Sequence, residues 1–364
     1  MAKNNKSMHQ ARINKNDEFY TRLEDIEDEI SMHEDYVRQF EGKTVLCNCD
    51  DPEWSNFFLF FRLHFKQLKL KKVIFTHYEM NGSPSYKLEW DGSYIGYDTL
   101  NLIKTPLKGN GDFRSPECVA LLDECDVVVT NPPFSLLREF IGLIIDHKKD
   151  FVIIGNMNVA TTRDVFPLMK EGKMFFGYGF NLSMIFKTPY ENNLEANQKF
   201  VASKGLNPKD GYLKVPGIAW FTTFKLDKYN EELPLCCQYE GHEDEYPKYD
   251  NYDAIEVNQI RRIPRDYWGV MGVFGPTFFA RFNKEQFEVL GCSQRGCHDD
   301  FPDTKKYNDY LEYKKDGTKT GSTGNKTNEN PNVVRNDGVH NYFMNKDGRT
   351  IQSLNARIFI RRKK

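Results

Sequence analysis

The chain has 364 residues, 39% of them hydrophobic and 14% aromatic, enough for one large domain or a core with an appended lobe. A formal net charge of −2 does not by itself point to nucleic acid, and no apolar run approaches a membrane span or forms a signal-peptide core. Eight scattered cysteines follow no secreted framework, so reduced thiols and a cytoplasmic setting are expected.

Charge is distributed unevenly. Residues 1–16 carry four basic and no acidic side chains, and they are expected to form a mobile basic arm. Residues 295–364 hold 15 Lys or Arg against nine Asp or Glu, whereas residues 227–256 hold ten acidic and two basic residues. Both ends of the chain suit phosphate; the acidic segment would face away from it.

In chain order, residues 22–40 read as a helix with Leu23, Ile26, Ile30 and Val37 on its apolar stripe. Residues 44–48 form a first strand. The loop after it, Asn48-Cys49-Asp50-Asp51-Pro52, lacks the glycines of an ordinary dinucleotide site. Ser55-Asn56 opens a helix whose phenylalanines read as core. Residues 72–76 form a second strand, and Glu79 stands where an acidic residue binds ribose hydroxyls, with His77 and Tyr78 competing for that neighbourhood. Residues 81–99 read as a polar hairpin turning at Asp91-Gly92. Gly109-Asn110-Gly111-Asp112-Phe113 follows, and then a short helix from Pro116.

Asp126-Val127-Val128-Val129-Thr130 runs straight into Asn131-Pro132-Pro133-Phe134. The apolar run reads as a buried central strand, and the prolines end it because neither can donate a ladder hydrogen bond. Pro132 also pushes Asn131 into an extended conformation. This rigid elbow falls at the carboxyl end of a strand, where open α/β sheets bind ligands. Its chemistry suits an exocyclic amine of a nucleobase, a poor nucleophile because its lone pair is delocalised into the ring. The Asn131 side-chain oxygen and the Pro132 carbonyl can accept from both amine hydrogens, and the prolines bring no competing N–H. Phe134 can stack on a base that has left the duplex.

Beyond the elbow come a helix at 136–146, a buried strand at 151–156, a helix at 163–170 and strands at 174–180 and 217–226, with an insertion at 181–216. This alternation predicts an α/β fold, a doubly wound, mainly parallel sheet with an antiparallel edge hairpin. A second lobe begins near Ile263. In it residues 272–278 read as strand or loop, and 283–290 as a short helix capped by Asn283. Residues 314–349, rich in Lys, Gly, Thr and Asn, read either as a solvated loop or as a DNA contact that orders on binding. In the second reading Lys314, Lys315, Lys319, Lys326 and Arg335 meet backbone phosphates, and Asn325, Asn328, Asn336 and Arg349 suit base edges. Arg361 and Arg362 in the basic tail add sequence-independent charge. Cys47/Cys49 and Cys292/Cys297 lack zinc-ligand spacing, so no metal is expected.

Asn131-Pro132-Pro133-Phe134 resembles motif IV of the amino-methyltransferases that use S-adenosylmethionine. The wider chain is similar to the EcoRI-type adenine-specific DNA methyltransferases. The matching segments are Asp17-Glu18-Phe19-Tyr20-Thr21, the 45–52 segment, Ser55-Asn56-Phe57-Phe58, Gly111-Asp112-Phe113-Arg114-Ser115, the elbow, parts of 271–291 and Ala356-Arg357-Ile358-Phe359-Ile360-Arg361. The resemblance weakens at 190–253 and 299–348. It implies S-adenosylmethionine as cofactor. Phe19 and Tyr20 would pack on its methionine end, with Thr21 capping the next helix. Asn48 and Asn56 lie in matching motifs, and Asp50 or Asp51 would bind the ammonium group. Asp112 would accept from the cofactor's adenine amine and Phe113 would pack on that ring.

The expected activity is adenine-N6 methylation of a flipped base in duplex DNA, without a covalent enzyme intermediate. The expected layout is a basic arm at 1–16, a catalytic domain at 17–226 and a DNA-recognition lobe at 227–364. A monomer is preferred, and pairing with a restriction endonuclease is open. The rivals are N4-cytosine methylation, methylation of RNA or a protein amide, and a catalytically silent DNA-binding protein on this fold.

Overall fold

The computed structural model describes residues 19–53, 55–79, 84–95, 99–180, 183–189, 195–294, 297 and 300–364; the basic arm at 1–16, with Asp17 and Glu18, lies outside them. The chain divides into two compact units. One comprises residues 1–157 and 174–226, the other residues 158–173 and 227–364.

The first unit is built on a mixed eight-stranded sheet. Its order is Phe175–Phe176, Ile218–Thr222, Asp150–Asn156, Val127–Thr130, Thr44–Cys47, Lys72–Thr76, Tyr86–Trp90 and Ile103–Pro106. The central four strands are parallel, in register Val45 with Val127, Cys47 with Phe75 and Thr130 with Ile153. Val45, Leu46, Cys47 and Val127 to Val129 are fully buried, as expected of strands covered on both faces. From Thr44–Cys47 the chain moves to one neighbour, and from Val127–Thr130 to the other. The strand order therefore reverses between these two strands, which opens a crevice at their carboxyl ends.

Local chemistry accounts for the helices beside the sheet. Ser55 caps Asn56–His64 by accepting from the Phe57 N–H at 3.0 Å. Ser115 caps Pro116–Glu124, which has proline in its first turn. In Leu137–Asp146 the buried positions Leu137, Phe140, Ile141 and Ile144 follow the helical period. The expected antiparallel edge is present, with Ile218–Thr222 antiparallel to both of its neighbours, but the sheet is mixed rather than mainly parallel, because Tyr86–Trp90 is antiparallel to both of its neighbours as well.

Several expectations are corrected. The 22–40 helix is broken into Leu23–Ile26, a π turn at Glu27–Ser31, and Glu34–Phe40. The Ser31 hydroxyl donates to the Glu27 carbonyl at 2.9 Å, and His33 is extended before the second helix starts. Thr21 caps nothing: it lies in the Tyr20–Thr21 strand, and Arg22 occupies the cap position without a side-chain cap bond. The 81–99 hairpin is replaced by Tyr86–Trp90, antiparallel to Lys72–Thr76 and to Ile103–Pro106, and Tyr94–Ile95 pairs with Thr99–Leu100 in a separate ribbon. The insertion is ordered in part, since Ile185–Lys187 pairs with both Tyr20–Thr21 and Tyr212–Lys214.

The second unit holds two antiparallel-rich sheets. The first has the order Ile255–Glu256, Met271–Val273, Ile358–Arg362, Phe287–Cys292. The helix expected at 283–290 is therefore a strand from Phe287. Asn283 does cap, accepting from Glu285 N–H at 2.8 Å, but only a turn, because Phe287, Val289 and Gly291 alternate inward with the two-residue strand period. The second sheet has the order Lys319–Thr323, Leu311–Tyr313, Tyr342–Met344, Thr350–Ser353, Asn332–Val333. The Lys-, Gly- and Asn-rich segment is thus a folded sheet, centred on buried Tyr307, Tyr310, Phe343 and Ile351.

Candidate active site

Parallel register brings Asn48, Thr76 and Asn131 to the same edge of the first unit's sheet. Asp50 ties the first loop to the elbow. Its Oδ2 accepts the Thr130 hydroxyl and, at 3.2 Å, the Asn131 backbone N–H; its Oδ1 accepts the Ser55 hydroxyl at 3.3 Å. Burial pushes the Asp50 carboxyl up to about 7, and these three donors pull the other way. Sequence reasoning set Asp50 beside the cofactor and gave Thr130 no role; a Thr-Asn pair ending one strand opposite a carboxylate ending its neighbour is the signal for this bridge.

Asn131 is held from the other side as well. Its Nδ2 donates to the Phe19 carbonyl at 2.6 Å, and Asn56 Nδ2 donates to the Thr21 carbonyl at 2.7 Å. The 19–21 segment is thereby pinned between the elbow and the start of Asn56–His64. Pro133 offers its carbonyl to the Leu136 N–H at 2.9 Å, which starts the turn after the elbow. Phe134 stacks on Phe19 with centroids 5.4 Å apart and planes at 18°, and Phe186 meets both rings edge-on.

The remaining candidates line the same edge. Asp51 Oδ2 lies 2.8 Å from His77 Nδ1, and Glu79 Oε2 lies 3.6 Å from His77 Nε2, so one imidazole joins the two carboxylates. Glu79 N–H donates to the Asn110 carbonyl at 2.8 Å, bringing in the 109–113 loop. Gly111 has φ +83°, and a Cβ there would stand 1.9 Å from the His77 carbonyl, so only glycine fits. Asp112 is held by Arg114 through Nε at 2.9 Å and Nη2 at 2.7 Å, which keeps its carboxyl below the usual range. Phe113 is buried against Phe140, Tyr20 is exposed and Asn48 is buried.

Buried polar atoms without partners test whether this edge suits a polar ligand. In the first unit, among the described residues, they are Thr21 Oγ1, Thr76 Oγ1 and Asn131 Oδ1. All three belong to the segments just described. An unpaired buried acceptor or hydroxyl is costly unless a ligand or water completes it. The acidic groups Asp51, Glu79 and Asp112 fit the ammonium and ribose hydroxyls of S-adenosylmethionine.

The basic residues expected at DNA lie in the second unit in differing circumstances. Lys326 pairs with buried Glu312 at 3.0 Å, Arg361 with Glu288 at 2.7 Å and Arg349 with Asp250. Arg362 donates to the Arg265 carbonyl and lies over the Trp268 ring. Arg335 donates through Nε to Gln352 at 2.6 Å. Lys314 and Lys315 stand in the turn between Leu311–Tyr313 and Lys319–Thr323 with no ion pair among the described residues.

A large mixed α/β sheet with an Asn-Pro-Pro-Phe elbow beside its point of strand reversal is the arrangement of a methyltransferase that acts on amino groups. Comparison with known proteins narrows the class. Residues 7–363 match the family model described as "Adenine-specific methyltransferase EcoRI". The chain is 41% identical over 303 residues to the type II methyltransferase M.EcoRI of Escherichia coli, covering 80% of this chain and 90% of the relative. It is 41% identical over 288 residues to M.MpnI of Mycoplasma pneumoniae, covering 78% and 85%, and 41% identical over 286 residues to M.MgeORF184P of Mycoplasma genitalium, with the same coverage. No solved structure matches. The chain belongs to the EcoRI family of adenine-specific methyltransferases, and it is an enzyme of that kind.

Proposed function

We propose that the chain methylates N6 of an adenine flipped out of duplex DNA, with Asn131 and Pro132 gripping the amino group and Phe134 stacking on the base. One observation carries the assignment: Asn131 is fixed through its backbone N–H and its Nδ2, while Oδ1 is buried with no partner among the described residues. Accepting from the amine hydrogens through Oδ1 and the Pro132 carbonyl draws the nitrogen toward a pyramidal shape and frees its lone pair. Asp50 and Phe19 hold Asn131 in place before substrate arrives, so little reorganisation accompanies the reaction. When bound, S-adenosylmethionine supplies a sulfonium-activated methyl group. Thr21, Asn48, Asp50, Asp51, Asn56, Glu79, Asp112 and Phe113 would hold it, with Phe19 and Tyr20 at its methionine end.

On this reading the first unit is a doubly wound catalytic domain, and the second is the recognition lobe, with the 1–16 arm adding charge at the backbone. The relatives' type II designation supports action beside a restriction endonuclease. The enzyme would act as a cytoplasmic monomer. Nucleoside analysis of duplex DNA incubated with the protein and S-adenosylmethionine should yield N6-methyladenine; N4-methylcytosine in its place, or unmodified DNA beside methylated RNA, would overturn the assignment.

A further inference from the structure

Eight consecutive residues at 334–341, Val-Arg-Asn-Asp-Gly-Val-His-Asn, are exposed in the second unit and belong to no strand or helix. Such a loop ordinarily samples many conformations. This one is held around a single carboxylate. Asp337 Oδ1 accepts from the Val339 N–H at 2.9 Å, the His340 N–H at 3.0 Å and Gln352 Nε2 at 2.7 Å, and Oδ2 lies 2.8 Å from His340 Nδ1. Gln352, itself buried, also accepts from Arg335 Nε at 2.6 Å. The result is a fixed surface that exposes Val339, at 65%, and the His340 side chain, at 70%.

Two lysines stand nearby, in a turn that also carries Asp316. The loop runs into Tyr342, which pairs with Tyr313 and stacks on it at 5.5 Å; Tyr313 in turn leads into the Lys314-Lys315 turn. The held loop and two lysines with no ion pair among the described residues therefore emerge at the same end of two paired strands. Ordered exposed apolar and imidazole groups beside cationic groups match a duplex more closely than a protein surface. Lysines meet phosphate, the Val339 methyls suit a thymine methyl, and His340 Nε2, the ring nitrogen left by Asp337, suits a base edge. Thymine methyls line only the major groove.

We infer that the 334–341 loop is a base-reading element that enters the major groove of the target duplex, with Val339 and His340 at the base edges, Asp337 as the residue that sets its shape, and Lys314 and Lys315 on the adjoining phosphates. This rests on the DNA-methylating reading above and adds to it where sequence discrimination resides. Preorganisation is the physical advantage, because the loop orders no further on binding.

The test begins with modified-base sequencing of DNA from cells expressing the intact chain, which gives the target sequence. Methylation kcat/KM is then measured on the cognate duplex and on every single-base-pair variant of it. His340→Ala and Val339→Ser should each lower cognate kcat/KM roughly 10–100-fold and flatten preference at one or two positions. Asp337→Ala should flatten the same positions. Lys314→Ala with Lys315→Ala should weaken all sequences equally and reduce the salt slope by about two charges. Cofactor affinity, read by calorimetry, should be unchanged throughout. Position-by-position preferences of His340→Ala, Val339→Ser and Asp337→Ala identical to those of the unaltered protein would overturn the inference while leaving the methyltransferase reading intact. An unaltered protein that methylates no DNA would remove both.

Discussion

Asn131 donates its side-chain amide to the Phe19 carbonyl at 2.6 Å, so the donor half of the amide is occupied, while the acceptor half is buried with no partner among the described residues. Asn131→Ala tests the proposed role of that acceptor. The backbone bond to Asp50 survives, while the side-chain oxygen proposed to accept from the amine is lost together with the bond to the Phe19 carbonyl. Turnover of a methyl label into DNA should fall by at least about 10²–10³-fold, the range seen when one transition-state hydrogen-bonding group is removed. Cofactor affinity by calorimetry should change little. Near-normal turnover would take the elbow out of the mechanism.

Asp50 gives the site a pH dependence whose sign follows from its environment. Burial raises its folded-state carboxyl to about 7, above its value in the unfolded chain. Between the two, the folded state holds the proton more tightly, so this group's contribution to stability is greatest at acid pH and is lost as pH rises toward 7. Activity runs the other way, because the ionised carboxylate is the better acceptor for Thr130 O–H and Asn131 N–H. Methylation should rise with pH through about 7, and Asp50→Asn should lack that limb while losing less thermal stability than the unaltered chain between pH 5 and 8. A pH–rate limb unchanged in Asp50→Asn would assign the titration elsewhere.

The parts of this architecture that were legible in the sequence were those written in local pattern. The run Val127 to Thr130 and its proline stop announce a buried strand and its end, and Leu137, Phe140, Ile141 and Ile144 announce a helix. What escaped was set by distant partners. Nothing near Glu29 signals that its carboxylate will accept from Tyr178 and Gly179, some 150 residues on, or that the helix will widen into a π turn there. Asn283 to Gly291 carries a helix cap and a strand alternation at once, and pairing with Ile358–Arg362 decides for the strand. Residues 314–349 look polar and irregular because each short strand contributes only one or two inward side chains, such as Val333 and Phe343.

Glu29 itself supports a stability prediction. It is 1% exposed, and it accepts from the Tyr178 N–H at 2.8 Å, the Gly179 N–H at 2.7 Å and the Tyr36 hydroxyl at 2.8 Å. Glu29→Ala removes a shared acceptor for three donors, the Tyr36 hydroxyl among them being buried, and should cost about 3 kcal/mol. Glu29→Gln keeps one acceptor and should cost about half as much. Urea denaturation followed by circular dichroism reads the difference. Equal midpoints for the two variants would mean that the bonds to Tyr178 and Gly179 contribute nothing beyond side-chain packing.

Phe134 presents one face to Phe19 at 5.4 Å, and together with the edge of Phe186 the three rings form an apolar wall beside Asn131. In the proposed reading a flipped adenine rests on that wall with its amine at Oδ1, and stacking of a base on an aromatic side chain is worth about 1–3 kcal/mol. Phe134→Ala should therefore lower kcat/KM on duplex DNA by roughly 10–100-fold, whereas Phe134→Trp, which keeps a stacking face, should retain most of the activity. A 2-aminopurine placed at the target adenine reports the step directly, since its fluorescence rises when it leaves the duplex stack and is quenched again on an aromatic ring. The unaltered protein should show a smaller steady-state rise than Phe134→Ala at saturating protein. An identical signal in both would place the extruded base somewhere other than against Phe134.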